Sequence, residues 1–165
     1  RGSLGFIYGR DIEELAQNSP NREQWLAEIK ICMAGYVAEK LTFDTTASGV
    51  GGGPGSDFYS AMNYASFMVW SLGMGPSGLI GDFNAMKSRD GNLNISEKTK
   101  EILDADAQNI LQACLKETTD ILTKHKDVLE QFAQELLKKG DLEFDEIRAI
   151  FNKAGLKPAA QIADS

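Results

Sequence analysis

Histidine is almost missing from this sequence: 165 residues contain one, His125. A helix-borne His-Glu-x-x-His metal site needs two imidazoles one turn apart, so no such motif lies on this chain. His125 sits in the run THKD at a corner between two helical patterns, with neither cysteine near it in sequence. That setting favours helix C-terminal capping over metal ligation. Positive charge is also scarce. Lys and Arg number 17 against 24 Asp and Glu, giving a net charge of -7 and a pI near 4.8. Nucleic acid and anionic membrane surfaces need clustered basic residues, so neither is expected as a partner.

Other absences narrow the field further. No apolar run approaches the roughly 20 residues of a spanning helix, and no signal peptide is visible. No membrane contact by the chain itself is therefore expected. Cysteine is limited to Cys32 and Cys114, both within apolar helical stripes and far apart. They read as buried free thiols of a reducing compartment, with a disulfide left open. No lysine occurs between Lys40 and Lys87. The glycine-rich run at 48–55 thus lacks the Gly-Lys-Ser/Thr ending of a phosphate-binding loop, and the GxGxxG register fails at each glycine. It reads instead as a mobile loop beside a site.

What is present is mostly helical patterning. Apolar residues make up 42% and charged residues 25%, enough for one domain with a real core. Residues 4–8 form a short apolar run between glycines, the one strand candidate, which must pair with something. Residues 11–18 suit a short helix, broken at Ser19-Pro20. A long helix then starts near Asn21 or Arg22, with Leu26, Ile29, Met33, Val37 and Leu41 as its stripe. A second helix runs over 57–72 with Phe58, Met62, Ala65, Val69 and Leu72 expected inward, closed by Gly73, Gly75, Pro76 and Gly78. Residues 82–94 read as an exposed loop with an Asp90-Gly91 turn.

Ser96 caps a third helix reaching about His125. Leu103, Ala107, Ile110, Cys114, Thr118 and Ile121 form its stripe, widened by Ile102, Leu111, Leu115 and Leu122. The widest apolar surface in the chain makes this segment the expected spine of the fold. Residues 127–139 form a fourth helix through Leu129, Phe132, Ala133 and Leu136, stopped by Gly140. The closing helix covers 143–151 with Phe144, Ile147 and Ile150 inward, and the remaining tail lacks periodicity. The expected fold class is a mostly α helical bundle with a small N-terminal strand element.

Residues 34–65 organise the chemistry. Glu39 lies near the end of the first long helix, and Asp57 lies in the opening turn of the second, behind Ser56 as N-cap. The glycine loop between them has little bulk and can fold so that both carboxylates face one place. Asp57 then suits a metal, an oriented proton or plain helix capping. Glu39 lies about 200° from the first stripe, which suits a solvated residue equally well.

The segments MAGYVAEKLTF, TTASG and SDFYSAMNYASFMVWSLGM resemble the peptidase domain of the FtsH family, the ATP-dependent zinc metalloproteases. RGSLGF resembles the strand after that family's zinc-binding helix. ISEKTKEILDADAQNIL and DLEFDEIRAIF resemble its later helices, so the likeness covers residues 1–152 and leaves 153–165 as a flexible tail. Tyr36 stands where the family usually has Arg, Lys40 replaces a second Glu, and GVGGGPG is an insertion.

The resemblance implies Asp57 as a zinc ligand, Glu39 beside the metal site, and Gly51, Gly52 and Gly53 in a substrate-cleft loop. It also implies that the histidine helix, with its general-base glutamate, lies upstream of a truncated chain that is inactive alone. Zn2+ would activate the water that attacks a peptide bond. ATP would act only through an ATPase module outside this chain. The implied parent is a membrane-anchored homo-hexamer on the cytoplasmic or organellar-matrix face, degrading membrane or unfolded protein substrates. Two other readings stand beside it: a catalytically inactive pseudo-peptidase acting in assembly or as a scaffold, and a plain helical interaction domain.

Overall fold

The computed structural model describes residues 12, 19–43, 53–86 and 94–156. Five α-helices and one short 3-10 turn lie among them. They are α1 (Arg22–Phe43), α2 (Asp57–Trp70), the turn Asn84–Met86, α3 (Glu97–Lys124), α4 (Lys126–Lys139) and α5 (Phe144–Lys153). No strand occurs among the described residues, and the fold is mostly α. The expected strand at 4–8 and most of the short helix at 11–18 lie outside the described residues. Ile12, which is helical, packs half-buried against the core. The tail is described only to residue 156.

Local sequence sets the helix ends. At the start of α1, Asn21 and Gln24 cap reciprocally: Gln24 N–H donates to Asn21 Oδ1 at 3.0 Å and Asn21 N–H to Gln24 Oε1 at 2.8 Å. Such a box satisfies two backbone donors that the helix leaves over. Ser56 Oγ accepts from Tyr59 N–H at 3.3 Å to open α2, and Ser96 Oγ from Thr99 N–H at 3.2 Å to open α3. Glu143 and Glu146 form a capping box on α5, and Glu146 also pairs with Lys139. Gly140, at a φ of 85°, ends α4 with its N–H on the Leu136 carbonyl.

The chain divides into two compact units, Arg1–Asp120 and Ile121–Ser165, and α3 runs from the first into the second. In the first unit, Trp25, Ile29, Cys32 and Met33 of α1 pack on Ala61, Tyr64, Ala65, Met68 and Val69 of α2. Leu103, Ala107, Ile110, Leu111 and Cys114 of α3 close the same core. Trp25 meets Tyr64 and Phe67, whereas Tyr36 meets Phe58; contacts that run in opposite order make α1 and α2 antiparallel. Cys114 Sγ lies 3.9 Å from the Leu26 carbonyl, and Lys30 pairs with Glu117 at 2.8 Å. That ascending order makes α1 and α3 parallel.

The expected inward face of α2 is corrected here. Phe58, Met62 and Leu72 do not turn inward; each is about two-fifths exposed, and α2 buries Ala61, Tyr64 and Met68 beside Ala65 and Val69. Both sides of α2 carry apolar side chains, and the side with two alanines wins because it lets the backbones approach closely. For the same reason α1 and α2 form the closest helix pair of this unit, while α3, the expected spine, joins both in the shared core. It contributes larger side chains across a wider gap.

A compact loop follows α2. Gly73 turns the chain at a φ of 63°, Met74 N–H donates to the Met68 carbonyl at 2.9 Å, and Phe83 N–H returns to the Trp70 carbonyl at 2.7 Å. Asp106 of α3 holds its centre. This carboxylate is 4% exposed and accepts from Ser77 Oγ at 2.5 Å and from Ser77 N–H. A side chain on Gly75 would collide with it.

The second unit is thinly packed by comparison. Val128 and Ile150 are its buried apolar residues among those described, and Phe132 meets Phe151 edge-on at 5.4 Å. Phe144, expected inward, is 64% exposed and lies beneath the Arg148 guanidinium at 4.8 Å. Ile121 and Leu136 are also exposed.

Ile110 is buried in the shared core of the three helices. Ile110→Ala should therefore cost about 2–5 kcal/mol in a denaturant titration. A loss below about 0.5 kcal/mol, the usual size of a surface effect, would contradict this packing.

Candidate functional site

Asp57 is the first residue of α2 and is half-buried. Ser56 Oγ, not the Asp57 carboxylate, accepts from Tyr59 N–H in this first turn. The helix dipole favours negative charge at this end. The side chain lies across α1: a Cβ on Gly35 would stand 3.7 Å from Asp57 Oδ2. One residue along each helix, Tyr36 and Phe58 pack at a ring separation of 5.0 Å. That contact pins the start of α2 to α1.

Glu39 follows Gly35 by four residues, hence on the same face of α1 and one turn further on. It is half-buried and engaged rather than freely solvated. The site carboxylates thus belong to neighbouring parts of one helix–helix junction. Of the glycine loop, Gly51 and Gly52 lie outside the described residues. Gly53 has a φ of 130°, and its carbonyl accepts from Ser56 N–H at 3.1 Å. This turn delivers the chain to the cap. His125 occupies the corner before α4 and makes no side-chain capping bond there.

Cys32, one turn before Gly35, senses the same carboxylate. Both cysteines are free and buried. Burial pushes the Cys32 thiol up to about 11, and the nearby negative charges of Asp57 and Glu28 push in the same direction. The buried thiol is thereby kept protonated and inert.

Asp106 was not legible as a special residue. Its Asp sits within the α3 pattern as one polar position among many. The available signal was Gly75 and Ser77 in the preceding loop, a glycine and a hydroxyl two apart that fit around a buried carboxylate.

Comparison with known proteins places the chain in a family. Peptidase family M41 matches residues 5–150, and the chain belongs to that family. It is 37% identical over 90% of its length to the ATP-dependent zinc metalloprotease FtsH of Borreliella burgdorferi, and covers 23% of that protein. It is 34% identical over 93% of its length to FtsH of Rickettsia prowazekii, covering 24% of it. It is also 32% identical over 72% of its length to the mitochondrial inner membrane m-AAA protease component YTA10 of Saccharomyces cerevisiae. The chain spans about a quarter of the length of the FtsH proteins that it matches.

These relatives are named for zinc, which sets a test of fit. Asp57 offers an oxygen donor of the right kind at a helix start. Among the described residues, no three His, Cys, Asp or Glu side chains come together to hold a metal ion. The described residues therefore do not by themselves assemble a complete zinc site.

The Cys32 thiol reports on Asp57 without any metal. In Asp57→Asn, loss of the negative charge favours the thiolate, so the Cys32 pKa should fall below its value of about 11. It should stay above the ordinary thiol range, because burial is the larger cause. The pH dependence of the Cys32 Cβ chemical shift measures this, and an unchanged midpoint would mean that Asp57 does not face Cys32.

Proposed function

We propose that this chain is the part of an ATP-dependent zinc peptidase domain that contributes the carboxylate ligand, Asp57, while the histidines come from elsewhere in a longer protein. The observation that carries this is the Asp57 carboxylate. It stands beside the Ser56 cap at the positive end of α2 and lies against α1 where Gly35 has no side chain. A zinc ion takes oxygen ligands at about 2.0–2.2 Å and in catalytic sites needs three protein ligands. Glu39 stands one turn along as the residue that would orient a ligand. The loop containing Gly51, Gly52 and Gly53 would border the substrate cleft.

In this reading the longer protein is a ring, a homo-hexamer, with an ATPase module that feeds membrane or unfolded protein substrates to the peptidase. It is anchored in a membrane, with the peptidase on the cytoplasmic or organellar-matrix side. No helix among the described residues is long and apolar enough to cross a membrane, so the anchor would lie in another part of the protein. The second reading, a pseudo-peptidase used for assembly, draws on Tyr36. Its ring is committed to packing on Phe58, a scaffold role that needs no chemistry.

Asp57→Asn in the longer protein separates the readings, since Asn keeps the size and losing the charge leaves the Ser56 cap intact. Zinc content and degradation of an unfolded protein should both collapse, the latter by orders of magnitude, while circular dichroism is unchanged. The 165-residue chain alone should neither retain zinc against a chelator nor cleave peptide. Full activity in the Asn variant would refute the ligand assignment and leave Glu39 as the next residue to test.

A further inference from the structure

Asp106 is the one buried acidic or basic side chain among the described residues. Among those residues, every hydrogen-bond partner of its carboxylate belongs to Ser77, in the loop after α2. Ser77 N–H donates to Oδ1 at 3.2 Å and to Oδ2 at 3.1 Å, and Ser77 Oγ–H donates to Oδ2 at 2.5 Å. The fit is close, since Gly75 has no room for a Cβ against the same carboxylate. A buried charge is costly without such partners. If Ser77 leaves, the carboxylate must find water.

The rest of the loop is held lightly. No residue from 73 to 83 is fully buried, and Pro76, Ser77, Gly78, Ile80 and Asp82 are exposed. Met74, Leu79 and Phe83 rest partly buried on the core. Two backbone bonds tie the segment to α2, from Met74 N–H to the Met68 carbonyl and from Phe83 N–H to the Trp70 carbonyl. Gly73 and Gly78, at φ of 63° and 77°, are its turning points.

We propose that residues 73–83 form a strap that opens as one unit from a core that stays closed, with the Asp106 carboxylate as its catch. Water reaches Asp106 only when the strap lifts, so the bonds to Ser77 break together with that movement. Once they are broken, no fully buried side chain of the strap remains to hold the two bonds to α2. The contacts on α2 and on α3 therefore fail in one step. The core does not follow, because its fully buried residues all lie on α1, α2 and α3. Segments with few buried apolar contacts open in this local way, below the free energy of global unfolding. Closed, the strap fixes the end of α2 to α3; open, it is a free tether between them. None of this depends on whether Asp57 binds metal.

Hydrogen exchange of the 15N-labelled 165-residue chain, followed residue by residue by NMR, tests it. The amides of Met74, Ser77 and Phe83 should share one opening equilibrium, with a shallow dependence on urea because little surface is exposed. The amides of Ala65 and Ile110 should be protected more strongly, with a steep dependence. Asp106→Asn keeps the shape and an acceptor for Ser77 N–H but loses the charge. It should speed exchange of the three strap amides together by about tenfold, the difference between a charged and a neutral hydrogen bond, and leave Ala65 and Ile110 unchanged. Ser77→Ala, at an exposed position, removes the Oγ bond and should accelerate the same three amides alone. Strap amides that open independently of one another overturn the proposal, as do strap amides that neither variant accelerates. Equal loss of protection in strap and core also overturns it, since Asp106 would then be an ordinary stabiliser of the whole unit.

Discussion

Close packing of α1 on α2 is the constraint on which the rest of the first unit depends. Ala61 and Ala65 present almost no bulk, so α2 settles onto Trp25, Ile29, Cys32 and Met33. Burial of that apolar surface, at about 25 cal/mol per Å², fixes two helix ends at once. At one end, the start of α2 lands beside Gly35, and Asp57 reaches across a helix with no side chain in its way. At the other, Trp25 is pressed between Tyr64 and Phe67 with its donor unpaired.

α3 plays a different part. It supplies the bulky third wall of the core and, through Asp106, the anchor for the loop after α2. That loop carries Leu72 and Met74, which lie near Trp25 and Phe67. Ile80, 91% exposed on the same loop, shows that the clamp serves position rather than burial of everything apolar nearby.

Helix positions were legible from the apolar periodicity, with Ser56 and Ser96 marking two of the starts, whereas α4 opens at His125 with no side-chain cap. The Asp57 placement was legible for the same reason, since a serine cap immediately before an aspartate fixes which turn it joins. Face assignment was harder. On α2 two registers of apolar residues compete, and ranking by side-chain size favours Phe58 and Met62 over Ala61. Packing ranks by fit, and the alanines allow the closer approach. Phe144 looked inward for the same reason, yet its ring is satisfied by covering Arg148 at the surface. The unpaired Trp25 donor could not be read at all, because being unpaired is a property of neighbours drawn from three stretches of sequence. The family likeness extended the reading to zinc and proteolysis, which no spacing on these 165 residues carries.

The central claim is that helix packing presents the Asp57 carboxylate as a metal ligand. Anomalous diffraction at the zinc edge from crystals of the longer, zinc-loaded protein tests it most directly. The account predicts a single strong peak at bonding distance, about 2.0–2.2 Å, from an Asp57 oxygen, with the carboxylate still lying over Gly35. A zinc peak coordinated by other groups, with Asp57 turned away from it, would contradict the account.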